Sequence, residues 1–189
     1  MRKLHTIAFT LFLFSTASFA QKVDLAVLGG GQASFEPNSN IGTGFALGGN
    51  LGVRVVDAPF LDLFVEFPVT TAFKINSKLP ASVAQRDYSS LFFTPSLRLK
   101  LAPSSPVSPF FSAGAGVARF RQEATATTAA RTTTTNAFQF GLGTDFKVAP
   151  FVSIRAEMRD YFSGPLEFDA TLTRRQHNLV GMAGLVLRF

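Results

Sequence analysis

Phe45-Ala46-Leu47-Gly48-Gly49-Asn50-Leu51-Gly52-Val53-Arg54-Val55 alternates two kinds of residue along its whole length. Phe45, Leu47, Leu51, Val53 and Val55 fall on one side, with Gly49 the only gap. Ala46, Gly48, Asn50, Gly52 and Arg54 fall on the other. A period of two belongs to an extended strand, whose successive side chains leave on opposite faces. Here one face is apolar and uncharged, and the other is small or ionic.

Working outward, the same rule recurs. Residues 61–69 set Leu61, Leu63, Val65, Phe67 and Val69 against Asp62, Phe64, Glu66 and Pro68. Residues 91–101 set Leu91, Phe93, Pro95, Leu97, Leu99 and Leu101 against Phe92, Thr94, Ser96, Arg98 and Lys100. Residues 138–148 set Phe138, Phe140, Leu142, Phe146 and Val148 against Gln139, Gly141, Gly143, Asp145 and Lys147. Residues 152–159 set Val152, Ile154, Ala156 and Met158 against Ser153, Arg155, Glu157 and Arg159. Residues 23–29 and 110–120 alternate less sharply, and their faces stay unassigned. The tail adds an eighth segment, with Leu179, Gly181, Ala183, Leu185, Leu187 and Phe189 on one face and Asn178, Val180, Met182, Gly184, Val186 and Arg188 on the other.

A soluble barrel turns its apolar face inward and a charged face to water. In these segments the apolar face is continuous, while the opposite face mixes glycine with both signs of charge. That fits a barrel whose outside meets lipid and whose narrow interior is polar. Lipid leaves no backbone group an outside partner, so such a sheet must close on itself. Although 47% of residues are hydrophobic and only 16% charged, no apolar run after residue 20 is long enough for a membrane helix. The expected fold is an all-β, transmembrane, antiparallel up-and-down barrel of eight strands.

The first residues read differently. Met1-Arg2-Lys3 is basic, residues 7–14 (IAFTLFLF) are apolar, and Ser18-Phe19-Ala20 offers small residues where a signal peptidase reads. This predicts a cleaved signal peptide over residues 1–20, with the barrel occupying 21–189. The sequence has no cysteine, which excludes both a disulfide framework and a lipid-anchored N-terminal Cys.

The connectors fall into two classes. Those at residues 56–59, 102–108 and 149–150 are compact. Those at 35–43, 70–87, 122–135 and 162–173 are longer and polar. Short turns at one rim and long loops at the other place both termini on the periplasmic side. The Thr-rich stretch at 124–135 is expected to be a surface loop. Phe60, Phe110, Phe111, Phe151 and Phe189 gather near the compact rim, and Tyr88, Phe120, Phe138, Tyr161 and Phe162 near the other. They are expected to form two aromatic girdles, built mainly from Phe because Trp is absent.

The alternating last strand with its terminal Phe, together with Pro109-Phe110-Phe111-Ser112-Ala113-Gly114-Ala115-Gly116 and Arg155-Ala156-Glu157-Met158-Arg159-Asp160-Tyr161, resembles the small outer-membrane β-barrel family. That group includes the membrane domain of outer-membrane protein A and its stand-alone relatives, and the resemblance spans essentially all of residues 21–189. It implies a bacterial outer-membrane location and recognition of Leu179, Leu185, Leu187 and Phe189 by the barrel-assembly machinery. Family members with a peptidoglycan-binding domain carry it after the barrel. This chain is expected to end at the barrel, so that activity is not carried over.

By face counting, Asp62, Glu66, Asp145 and Glu157 share the interior with Arg54, Arg98, Lys100, Arg155, Arg159 and Arg188. Burying unpaired charge is costly, so mutual pairing into a structural plug is expected, with a gated pore as the competing reading. Catalysis finds little support: His177 is the one histidine after residue 20, and no serine stands beside it in sequence. Too few His and Cys remain for a metal site. Gly29-Gly30-Gly31 and Gly42-x-Gly44 lack the strand–GxGxxG–helix setting of a phosphate cradle. No cofactor is expected.

Lys74, Lys78, Arg86, Arg131, Arg174 and Arg175 would lie at the outer rim. There they are suited either to lipopolysaccharide phosphates or to plain solvation. They form no stripe, so nucleic acid is disfavoured. The expected role is non-enzymatic, either structural or surface-interacting, in a monomer. The alternatives are a narrow channel or carrier for small hydrophobic molecules and, second, a membrane-embedded lipid-modifying enzyme.

Overall fold

The computed structural model describes residues 22–34, 43–75, 88–122, 124, 129–164 and 175–189. The expected signal segment and most of the four long connectors lie outside these residues. The strands are β1 (Val23–Ser34), β2 (Thr43–Asp57), β3 (Leu61–Ile75), β4 (Tyr88–Phe93), β5 (Ser96–Leu101), β6 (Val107–Gln122), β7 (Arg131–Ala149), β8 (Val152–Ser163) and β9 (Gln176–Arg188). Every pairing is antiparallel. β4 and β5 occupy one position between β3 and β6, and β1 pairs with both β2 and β9. The nine segments therefore make an eight-strand closed ring. No helix among the described residues is long and apolar enough to cross a membrane.

Closure is made by the last strand. Asp24 sits opposite Arg188 and Gln32 opposite Val180. Val23 N–H donates to Phe189 O at 3.0 Å, and Phe189 N–H donates to Val23 O at 2.9 Å. Two inward glycines permit the close approach here. A Cβ on Gly30 would strike the carbonyl oxygen of Gly181, and one on Gly184 that of Val27.

Four sequence expectations are corrected. The segment expected as one strand over 91–101 divides at Thr94-Pro95, because proline has no N–H for the ladder. Pro95 O instead accepts from Ala115 N–H at 3.2 Å. The Thr-rich stretch is not all loop. β7 begins at Arg131, and Thr132–Thr135 pair with Arg121–Ala118, since β-branched Thr suits a pleated surface. β3 likewise continues to Ile75, into the connector expected from residue 70.

The fourth correction concerns the girdles. Phe111, Phe138, Phe151, Phe60 and Phe189 do face outward. Phe110, Phe120 and Tyr161 do not: they are 1%, 2% and 0% exposed, inside the barrel. Height along a strand brought them near a rim, but the period of two turned them inward. The side chain of Tyr88 lies outside the described residues.

The parity of β1 and β6, open from sequence alone, is now fixed. Asp24, Ala26, Leu28 and Gln32 of β1 point in, as do Ser108, Phe110, Ser112, Ala118, Phe120 and Gln122 of β6. The interior is thus the buried core, and large apolar side chains cover the outside. That inversion of the soluble pattern is what a lipid-facing wall requires.

Candidate functional site

The lower half of the lumen, toward the compact turns, is an ion-pair network. Glu66 is its central acid. Its carboxylate lies 3.1 Å from Arg98 Nε, 3.5 Å from Arg159 Nη2 and 3.7 Å from Arg155 Nη1. It also accepts from Asn50 Nδ2 at 2.7 Å. Asp145 accepts from Arg155 Nε at 2.7 Å, Lys100 Nζ at 2.9 Å and Arg188 Nη2 at 2.8 Å. Glu157 holds Arg159 through two bonds, of 2.6 and 3.0 Å. The guanidinium of Arg98 also lies 4.2 Å from the Phe64 ring centroid, and that of Arg155 lies 4.8 Å from Phe110.

All ten charges expected in the interior are inward, but they do not form one cluster. Arg54 and Asp62 pair with each other at 3.3 Å, and Arg54 also reaches Asp57 at 3.2 Å. This pair lines an open pocket of about 310 Å³ at the compact-turn mouth. Sequence reasoning missed Asp24, which accepts from Arg98 Nη2 at 2.6 Å and ties Arg188 and Arg155 to the network at 3.5 and 3.6 Å. Its only sequence signal was its place in a weakly alternating segment.

Above the ions the lumen is neutral among the described residues. Phe92 stacks on Tyr161 with centroids 4.2 Å apart and meets Phe120 edge-on at 5.7 Å. Tyr161 and Thr70 share a hydroxyl–hydroxyl bond of 2.7 Å. Ser90 Oγ donates to Gln32 Oε1 at 3.0 Å, and Gln32 Nε2 donates to Asn178 Oδ1 at 3.2 Å. Gln139 joins the two layers: Nε2 donates to Ser112 at 2.8 Å, and Oε1 accepts from Arg159 Nη1 at 3.3 Å. Inward glycines make room for this filling. A Cβ on Gly143 would meet the Phe110 ring at 2.5 Å.

The outer wall carries a polar feature that the sequence did not reveal. His177 Nδ1 lies 2.7 Å from Asp160 Oδ2, although the two are 17 positions apart. Both side chains are on the outward face, 53% and 34% exposed. The imidazole packs on Phe162 at 4.7 Å, and the Arg175 guanidinium sits 5.3 Å from the same ring. No serine or threonine hydroxyl is hydrogen-bonded to His177 among the described residues. No group of three or more His, Cys, Asp or Glu positioned to hold a metal occurs among them either.

Of the basic residues expected at the outer rim, Arg131 and Arg175 are exposed. Lys78, Arg86 and Arg174 lie outside the described residues, as does the side chain of Lys74. Arg119 and Arg121 of β6, not anticipated, also project outward. The outward tail residues Leu185, Leu187 and Phe189 are exposed, and Leu179 is half-buried.

Comparison with known proteins agrees with this architecture. The model of a family described as the outer membrane protein beta-barrel domain matches residues 6–178. Among solved structures, Neisserial surface protein A superposes with a TM-score of 0.59 at 18% identity, covering 88% of this chain and 96% of that one. Ail, the attachment invasion locus protein of Yersinia pestis, in complex with the heparin analogue sucrose octasulfate, gives 0.55 at 12% identity, covering 89% and 99%. The N-terminal β-barrel domain of Pseudomonas aeruginosa OprF gives 0.55 at 14% identity, covering 90% and 98%. At these identities the likeness is one of fold. No curated protein matches in sequence.

Proposed function

Because this chain belongs to the outer membrane protein β-barrel domain family, we propose that it works as a closed, non-enzymatic barrel of the bacterial outer membrane, acting through its shape and outer surface. The observation that carries this reading is the filled lumen. Arg98, Arg155, Arg159, Lys100, Glu66 and Asp145 are all essentially inaccessible to solvent, and each has an oppositely charged partner within 4 Å. A conducting path would need these ions rehydrated and separated, which costs several kcal/mol for each broken pair. The lumen charges therefore act as a structural plug.

Two further roles belong to the same reading. The exposed arginines at the long-loop rim (Arg119, Arg121, Arg131 and Arg175) provide charge-assisted donors for anionic groups of outer-leaflet lipopolysaccharide or for sulfated and phosphorylated surface polymers. A relative of the same fold, Ail, is known in complex with a heparin analogue. The outward Leu179, Leu185, Leu187 and Phe189 serve as the assembly signal, so deletion of Phe189 lowers insertion more than deletion of any loop residue. The protein acts as a monomer.

The test is electrical. Purified barrel inserted in a planar bilayer is expected to give no steady single-channel current; a reproducible open level would favour the channel reading. The Asp160–His177 pair gives the enzyme reading its one specific observation. His177→Ala is expected to leave the lipids of the outer membrane chemically unchanged by mass spectrometry, and an altered acyl pattern would favour an enzyme.

A further inference from the structure

The open pocket at the compact-turn mouth, about 310 Å³ in volume, is lined by four basic and three acidic side chains. All three acids are already engaged. Asp57 and Asp62 lie 3.2 and 3.3 Å from Arg54, and Asp24 lies 2.6 Å from Arg98. Three of the four cations are likewise paired: Arg54 with its two acids, Lys100 with Asp145 at 2.9 Å and Arg188 with Asp145 at 2.8 Å. The fourth, Lys147, is exposed and has no ion pair among the described residues. Asp145 gives it little relief, because that one carboxylate is shared among Lys100, Arg155 and Arg188. The mouth therefore turns a positive potential to solvent, and Lys147 and the 15% exposed Arg188 are donors within reach of a ligand.

The walls of the pocket are fixed in advance. Each compact turn carries an Ala-Pro step: Ala58-Pro59, Ala102-Pro103 and Ala149-Pro150. The three prolines line the pocket, with φ pinned by their rings. Backbone bonds tie the rim together: Ala102 N–H donates to Phe60 O at 2.9 Å, and Lys147 N–H donates to Pro106 O at 2.8 Å. Ser105 N–H and Ser108 Oγ each donate to Ala102 O at 2.9 Å, which holds Ala102 in its left-handed conformation (φ 47°). Lys147 is thus anchored at its backbone while its ammonium lacks a counter-charge, and such preorganisation lowers the cost of binding.

We propose that the compact-turn mouth is a binding site for one small organic anion, a carboxylate or a phosphate ester. Its charged group lies on Lys147 and Arg188, and its body lies against the proline rings. The pocket is larger than a bare oxyanion needs, and the exposed Ser104 adds a hydroxyl donor to its lining. Asp57 and Asp62 line the same pocket and repel a second anionic group. The site therefore takes a small anion and not a polyanion, unlike the exposed arginines at the long-loop rim. With the compact turns on the periplasmic side, the ligand is a periplasmic solute. Binding itself depends neither on that orientation nor on whether the lumen conducts.

The test is calorimetric titration of the folded barrel, in a non-ionic detergent, with glycerol 3-phosphate, succinate and uncharged glycerol. Saturable binding is expected for at least one of the two anions, and none for glycerol. Lys147→Gln should weaken binding of the anion at least about fivefold, the scale of one charge-assisted hydrogen bond. Lys147→Glu should abolish it. Arg131→Gln, at the long-loop rim, removes the same charge from the barrel and should leave binding unchanged. Heat-modifiable migration confirms that each variant is folded. No saturable binding of either anion by the wild type, or equal binding of glycerol, would overturn the site. Wild-type affinity in folded Lys147→Gln or Lys147→Glu would overturn it too. An equal loss in Arg131→Gln would replace it with diffuse attraction to a basic barrel.

Discussion

The two halves of the lumen close the same barrel by different physics. The lower half is crowded with ions: Glu66 is shared among three arginines, and Asp145 among Arg155, Lys100 and Arg188. The upper half holds a stack of Phe92 and Tyr161, with Phe120 edge-on and an amide–hydroxyl chain beside them. An ionic closure is sensitive to any change in the count of charges, because a single unpaired ion is stranded in a low-dielectric space. An aromatic closure is sensitive to volume. The contrast teaches that the barrel has two seals in series, and that no single substitution removes both.

The largest effect is expected from Glu66→Ala, which leaves Arg98, Arg155 and Arg159 short of counter-charge. The folded barrel should lose about 3–5 kcal/mol, measured by urea unfolding in detergent. Glu66→Gln sharpens the point. It keeps the shape and the bond from Asn50, yet should lose nearly as much, because the charge is what matters. A small loss in Glu66→Gln would mean that packing, and not ion pairing, holds the lower seal.

Next comes Phe92→Ala, which removes the centre of the aromatic seal. A loss of about 3 kcal/mol is expected, as for other buried Phe truncations. Raised salt should leave this loss unaltered, whereas salt that reaches the lower mouth should soften the Glu66→Ala loss. The smallest effect is Tyr161→Phe. It deletes only the hydroxyl shared with Thr70, and should lose about 1 kcal/mol in the same titration.

How much of this was legible in the sequence depends on which physical constraint each residue obeys. The expectation of ten interior charges rested on alternation, because a charge between two apolar residues of a strand shares neither's face. Asp24 escaped because the residues that share its face, Ala26 and Leu28, are as apolar as Val23, Leu25 and Val27 on the other. Phe110, Phe120 and Tyr161 were misread, since an apolar ring suits lipid and core equally well and only strand parity separates the two. In Phe110-Phe111 one ring must point in, and composition does not say which. The pairing of Asp160 with His177 was beyond reach for another reason. It depends on the β8–β9 register, Phe162 opposite His177 and Asp160 opposite Leu179, and no local pattern sets that register across the intervening loop.

Two seals in series that close the lumen have a direct electrical signature. Wild type, Glu66→Ala, Phe92→Ala/Tyr161→Ala and the combined triple variant would be compared in one planar-bilayer series, each shown to be folded by heat-modifiable migration. Silence is expected from the wild type and from each half-seal variant, and steady single-channel openings only from the triple variant. Steady openings in the wild type, or in either half-seal variant alone, would contradict it.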